Sequence, residues 1–422
     1  MIDTLIIADD LSGAADCAAA CVSTDIETVV ILDPEAALGN AVTVAVDVDS
    51  RALAAPEAGA AAAEAVRQLH SQGTRILYQK MDSTLRGHWP LELVRIRQAA
   101  ALALGYRPLA IVAPAFPGMG RVTIDGHVFA NGMPLEGTEL WKRAGLMGSA
   151  DLRAILTDAG LKVGQAALEQ VALGSEALRV RLAKFWEAGC DAVVCDAQTE
   201  EDLVTLAAAS LALPDKPLWV GSAGLMRALA GAGERELVSP PISVRRATGK
   251  PILTVIGSAS EISQAQSDAL TREEGLTSIL LAPSALIEGD PERMQSCVDA
   301  LDQALASGSD AAVVVRGESL DFREGPQITA ALAELIAPRL SSIGGLVVTG
   351  GETARAILVK AGISKLRMQG NIEPGVPAGL SIGTLAIPVI TKAGAFGDCM
   401  TLVRCRAALR DGRDQSSAAT NE

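Results

Sequence analysis

The eight residues Lys80-Met81-Asp82-Ser83-Thr84-Leu85-Arg86-Gly87 put two cations, a carboxylate, two hydroxyls and a glycine within reach of one small ligand. Such a set can hold an anionic, hydroxylated molecule through charge-assisted hydrogen bonds and move a proton on it. Taken alone, the stretch is equally well a polar loop with a surface ion pair. Three further clusters change that reading. Asp9-Asp10 follows the apolar run 4–8, Arg51 follows the run 42–46, and Arg121 ends the turn-rich loop 114–121 that follows the run 109–113. Each apolar run reads as a buried strand, so Asp10, Arg51, Lys80 to Arg86, and Arg121 lie just past four strand ends, where open α/β sheets bind ligands. Asp82 stands two residues beyond Lys80; in extended backbone both side chains leave the same face, which sets a carboxylate beside a cation. Asp10 either faces that site or only favours the positive end of the following helix.

The elements that carry these residues alternate between short apolar strands and helical patterns along the whole chain, which predicts an α/β fold of two domains with mostly parallel sheets. The chain has 422 residues, 49% of them hydrophobic and 3% aromatic, a composition suited to helices packed on parallel strands. Residues 1–235 form the expected first domain, 236–250 a polar, proline-bearing linker, 251–410 the second domain, and 411–422 a disordered tail. Strands are expected over 28–32, 42–46, 75–79, 109–113, 192–195, 218–220, 251–256, 278–281, 311–316, 346–349 and 383–390, and helices over 56–69 and 91–104. His127 reads as structural. The net charge of −14, without a lysine and arginine block, excludes an electrostatic footprint for nucleic acid or an anionic membrane. Seven cysteines without a C-x-x-C pair argue for reduced thiols over zinc or disulfides. The first apolar run is too short for a signal peptide and no run reaches a membrane span, so a cytoplasmic protein is expected.

The second domain adds three glycine-rich turns, 257–260, 350–353 and 392–397. Each brings backbone N–H groups or a helix start where a phosphate chain could lie. Three of them point to a nucleotide. Neither G-x-x-x-x-G-K-[ST] nor G-x-G-x-x-G after a leading strand occurs, so a P-loop enzyme and an ordinary dinucleotide dehydrogenase are excluded.

Five motifs, in this order, resemble the four-carbon acid sugar kinase family: Ala8-Asp9-Asp10-Leu11-Ser12-Gly13-Ala14, Lys80 to Gly87, Ala113-Pro114-Ala115-Phe116-Pro117 with Gly120-Arg121, Thr349 to Ala354, and Lys392 to Gly397. The resemblance covers nearly the whole chain. It implies an acid-sugar-binding first domain, an ATP-binding second domain, an active site in the cleft between them, and transfer of the γ-phosphoryl group to the 4-hydroxyl of a tetronate. Substrate contacts are expected from Asp10, Arg51, Lys80, Met81, Asp82, Ser83, Arg86 and Arg121. Nucleotide contacts are expected from Ser258, Gly350, Gly351, Glu352, Thr353, Gly394 and Gly397. Asp82 or Asp10 would take the hydroxyl proton. ATP and Mg2+ are the expected cofactors, no metal ligand is assigned, and a homodimer is left open. In 3-oxo-tetronate members a His-His-Pro segment follows the Gly-Arg loop. Residues 135–147 hold no histidine, which turns the expectation to D-threonate, with D-erythronate or 3-oxo-tetronate as alternatives. Two readings of other classes stand beside it: an acid-sugar aldolase or lyase with Lys80 as Schiff-base amine, and a nonenzymatic acid-sugar sensor.

Overall fold

The computed structural model describes residues 2–23, 25–232, 249–257, 260–287, 291–316 and 325–411. The chain divides into two compact units, Met1–Val30 with Ala37–Val238, and Ile31–Ala36 with Ser239–Glu422. Most of the expected linker and all but the first residue of the expected tail lie outside the described residues.

In the first unit the elements run β1 (Thr4–Ala8), α1 (Leu11–Ala19), β2 (Thr28–Ile31), β3 (Thr43–Asp47), α2 (Ala55–Leu69), β4 (Ile76–Lys80), α3 (Trp89–Leu104) and β5 (Ala110–Ala113). A small antiparallel sheet follows, of β6 (Arg121–Ile124), β7 (His127–Ala130) and β8 (Met133–Pro134). The unit then adds α4 (Glu139–Arg143), α5 (Leu152–Asp158), β9 (Val163–Ala166), α6 (Leu168–Val171), α7 (Ser175–Glu187), β10 (Ala192–Cys195), α8 (Glu200–Leu211), β11 (Leu218–Gly221) and α9 (Ala223–Gly231). Every residue of β1, β3 and β4 is buried. Continuous burial of this kind is the mark of parallel strands covered on both faces. Local signals set the helices. Pro90 enters α3 in its first turn and Gly105 ends it at φ +80°, a left-handed conformation that glycine adopts without strain. Thr199 and Asp202 form a reciprocal capping box on α8.

The main sheet of this unit has the order β2-β3-β1-β4-β11-β5-β10-β9, and the pairings from β3 to β9 are parallel. From β1 the chain first lays β3 on one side and then β4 on the other. The crevice at β1 is therefore the topological switch point, where ligands of open α/β sheets lie. Register aligns the strand ends: Asp47, Ala8, Lys80, Gly221 and Ala113 stand side by side in one row.

The second unit contains β12 (Ile252–Ile256), α10 (Glu261–Leu270), β13 (Leu276–Leu281), α11 (Pro283–Ile287), α12 (Pro291–Ala306), β14 (Asp310–Val315), α13 (Gly325–Ile336), β15 (Gly345–Thr349), α14 (Gly351–Lys360), β16 (Ile363–Glu373), β17 (Val376–Gly383), β18 (Pro388–Lys392) and α15 (Thr401–Asp411). Its order is β13-β14-β12-β15-β18-β17-β16. The switch point falls between β12 and β15, and Ile256, Thr349 and Lys392 align at the strand ends. A core of Ile252, Ile256, Val314, Val347, Ile390, Leu402 and Leu409 closes it.

Two readings of the elements are corrected. The strand expected over 383–390 is two, because β17 ends at Gly383 and β18 begins at Pro388. Lys80 belongs to β4 rather than to the loop beyond it, which fixes its backbone in the sheet. Among the described residues no helix is long and apolar enough to cross a membrane. The seven cysteines are free of disulfides.

Candidate functional site

In the first unit, the switch point gathers most of the charged residues singled out above. Asp10 caps α1, its Oδ1 accepting the Gly13 N–H at 3.1 Å. Arg51 reaches across from the loop after β3, and its Nη2 lies 2.8 Å from Asp9 Oδ2 and 3.1 Å from Asp10 Oδ1. Both adjacent aspartates thus share one guanidinium. Asp82 is buried, and its Oδ2 accepts hydrogen bonds from Thr84 Oγ1 at 2.6 Å and from Arg86 Nε. Leu85, between those donors, sits at φ +62°, a costly conformation for a branched residue that only surrounding structure can hold. Gly87 closes the loop at φ +85°, and a Cβ there would lie 2.9 Å from Asp9 Oδ2. Only glycine lets the loop end rest on that carboxylate.

Lys80 is 7% exposed. Among the described residues its ammonium makes no hydrogen bond and no ion pair within 4.0 Å. It points beside Gly13, where a Cβ would come within 2.6 Å of Nζ and 2.8 Å of Asp10 Oδ1. Burial favours loss of its proton, but Asp10, Asp9 and Asp82 outweigh burial and raise its pKa. A Schiff-base lysine needs the opposite shift, so the charge of Lys80 fits anion binding and disfavours the aldolase reading. Arg121 is a second cation of this type: it is buried, Nη1 donates to Met119 O at 2.8 Å, and Nε has no partner among the described residues. Burial lowers its pKa while the field of Asp82 opposes that shift.

The three carboxylates differ in ionisation. Burial raises all three, but Arg86, Arg51 and Lys80 overcome it at Asp82 and hold that carboxyl well below the usual range. Arg51, Lys80 and Arg86 also overcome it at Asp10 and lower its pKa. At Asp9 burial prevails, with the charge of Asp10 adding to it. Asp82 is therefore a firmly ionised hydrogen-bond acceptor and a weak base. Ser83 is buried and Arg86 exposed. The Met81 side chain is fully buried and its N–H donates to Gly221 O at 2.9 Å. His127 is a β7 residue of the small antiparallel sheet.

The close approach of Gly13 to Lys80 yields a prediction with opposing terms. In a helix Gly→Ala usually stabilises by about 0.5–1 kcal/mol. In Gly13→Ala the new methyl displaces the ammonium and crowds the Asp10 cap, so the KM for an acidic substrate is expected to rise about tenfold, while the gain in helix propensity offsets the crowded cap and thermal stability changes little. An unchanged KM in steady-state assays would show that Lys80 does not bind the acid from this position.

In the second unit, Gly350 precedes α14 at φ +95° and donates its N–H to Lys392 O at 2.8 Å. Thr353 is buried against the turn after β12, since a Cβ on Gly257 would lie 2.8 Å from Thr353 Oγ1. Gly351 opens the helix, and Glu352 is exposed in its first turn. Ser258 lies outside the described residues. The Lys392–Gly397 loop is tied down by the carbonyl of Gly394, which accepts from Ser260 Oγ at 2.8 Å, Ser263 Oγ at 2.7 Å and Lys392 Nζ at 3.1 Å. Gly397 sits at φ +80° against Thr401 Oγ1. Burial brings the Lys392 ammonium down to about 8; it braces the loop from beneath. The switch point thus brings the glycine-bearing turns at Gly350–Thr353 and Lys392–Gly397 together beside Gly257, an arrangement suited to a phosphate chain. Among the described residues no three His, Cys, Asp or Glu side chains group as a metal site.

Sequence reasoning missed the pairing of Arg51 with Asp9 and Asp10. It also missed Glu92 and Gln79, buried behind the loops. The only signal for Glu92 was a carboxylate in the first turn of a helix.

A family model described as a sugar-binding N-terminal domain matches residues 4–229, and one described as a nucleotide-binding C-terminal domain matches residues 253–402. The chain is 42% identical to a D-threonate kinase of Cupriavidus necator, over 98% of this chain and 99% of that protein. It is 30% identical to a 3-oxo-tetronate kinase of Pseudomonas fluorescens, over 93% of each. A crystal structure from Salmonella typhimurium, described as a tRNA synthase, superposes with a TM-score of 0.79 at 22% identity, covering 96% of this chain and 99% of that one. At that identity the likeness is one of fold alone.

Proposed function

We propose, from the premise that this chain belongs to the four-carbon acid sugar kinase family, that it transfers the γ-phosphoryl group of ATP to the 4-hydroxyl of D-threonate. The buried ammonium of Lys80 at the first unit's switch point, which among the described residues makes no ion pair within 4.0 Å, carries this reading, because a desolvated cation calls for an anion in direct contact. Identity of 42% to a D-threonate kinase supports the choice of acid.

In the reaction the 4-hydroxyl oxygen bonds to the γ-phosphorus as the bond to the β–γ bridging oxygen breaks, and ADP leaves. Phosphoryl transfer is chiefly a matter of positioning and charge neutralisation, and it asks little of a base. Lys80 and Arg121 hold the substrate carboxylate. Arg51 keeps Asp9 and Asp10 in place, and Asp10 accepts a substrate hydroxyl. Asp82, too acidic to abstract a proton early, accepts a hydrogen bond from the attacking hydroxyl and receives its proton late. The glycine turns at Gly350–Thr353 and Gly394–Gly397, with Ser258, hold the nucleotide. Mg2+ carried on the triphosphate as part of the substrate would supply neutralisation of charge on its oxygens.

A coupled ADP-release assay over a panel of acceptors tests this. D-threonate is expected to give the highest kcat/KM, with D-erythronate and 3-oxo-tetronate lower. Neutral tetritols should give only background hydrolysis. Equal rates with an uncharged tetritol would overturn carboxylate recognition, and absence of ADP release with every acid would overturn the kinase reading.

A further inference from the structure

Glu92 stands in the first turn of α3 and is 2% exposed. Its Oε1 accepts from Ser50 Oγ at 2.6 Å, and its Oε2 lies 3.5 Å from Gln79 Nε2, which also donates to Trp89 O at 2.9 Å. Ser50 immediately precedes Arg51, and Gln79 immediately precedes Lys80. One carboxylate thus grips the neighbours of two cations of the sugar site, from two different strand ends. Among the described residues it has no ion-pair partner within 4.0 Å. A buried carboxylate without a paired cation is costly, and leucine or glutamine would fill a plain core position at less cost. Its position between Ser50 and Gln79 answers to the placement of Arg51 and Lys80.

We propose that Glu92 is a positioning residue of the sugar site, which in its ionised form holds Ser50 and Gln79 and so fixes Arg51 and Lys80 toward the acid substrate. The groups facing it are Asp9 from the loop after β1, Ser50 and Arg51 from the loop after β3, and Gln79 from β4. Burial pushes its carboxyl up to about 7 and the charge of Asp9 adds to this, while Ser50, Gln79 and Arg51 oppose it. Below that pH the group is protonated and Ser50 loses an anionic acceptor. Substrate affinity should therefore fall on the acid side of neutrality.

The inference rests on the kinase reading, so its test records acid binding by calorimetry alongside turnover. In the wild-type protein, D-threonate affinity and kcat/KM are expected to decline together below pH 7. In Glu92→Gln that decline disappears, KM rises about tenfold at pH 8, kcat stays within about threefold, and ATP affinity is unchanged. Glu92→Asp restores part of the pH dependence. Ser50→Ala, which leaves the core volume almost intact, removes a donor to the ionised form and is expected to move the midpoint to higher pH. A Glu92→Gln protein with wild-type KM and the same acid limb would overturn the proposal. If that variant does not fold, an unmoved midpoint in Ser50→Ala would do the same. Absence of wild-type ADP release with D-threonate binding intact would instead fail the kinase reading and leave the calorimetric test in force.

Discussion

Lys80→Met is expected to lower kcat/KM for D-threonate about a thousandfold, with ATP affinity unchanged. The ammonium is buried, held protonated by three carboxylates, and free of any protein ion pair among the described residues. Truncating one partner of a buried charge pair costs about 2–5 kcal/mol, and a thousandfold corresponds to about 4 kcal/mol. Methionine keeps the unbranched stem and the volume, so the sheet row through Ala8, Lys80 and Gly221 has no reason to shift. The loss should appear mainly in KM, because the carboxylate is bound alike in ground and transition states. Arginine is not expected to rescue, since its larger head must enter a space already close to Gly13. A folded Lys80→Met protein with kcat/KM within threefold of wild type would refute the assignment of Lys80 to the carboxylate.

The second large effect belongs to the nucleotide unit. Gly350→Val forces a β-branched residue to φ +95° at the entrance to α14. Such backbone strain is of the order of 1–3 kcal/mol. Relieving it would disturb the N–H that joins Gly350 to Lys392 O, and with it the spacing of the two glycine turns that these residues belong to. ATP affinity is expected to fall about a hundredfold or more, with a drop of several degrees in Tm, while D-threonate binding is retained. Gly351→Ala is the comparison: that residue is the first of the helix and has no positive φ, so a milder loss there separates backbone strain from contact with the phosphates. Calorimetry finding wild-type ATP affinity in a folded Gly350→Val protein would remove the turn from the nucleotide site.

Lys80 and Gly350 are both visible in the sequence, and the reason is local. Buried parallel strands appear as short apolar runs, and a polar cluster at the end of such a run points to the carboxyl edge of a sheet before any strand order is known. Lys80 to Gly87, Asp10, Gly350 and the Lys392 loop could be singled out in this way, as could the α/β class. Order and register were not legible, because neither is encoded in neighbouring residues. Arg51 meets Asp9 across 42 positions of chain, and Ser50 meets Glu92 across another 42. Both contacts exist because β1 lies between β3 and β4. Ionisation was hidden for a related reason. Asp82 looked like a base beside one cation, whereas the folded loop surrounds it with Arg86, Arg51 and Lys80 and makes it a weak one. Met81, within the same motif, has a fully buried side chain and a backbone N–H committed to Gly221 O. Residue types and their distance from strand ends announced the chemistry; which carboxylates are pushed up or held down, and which cation makes no ion pair among the described residues, depend on burial and on charges brought together from remote segments, and only the packed sheet sets these.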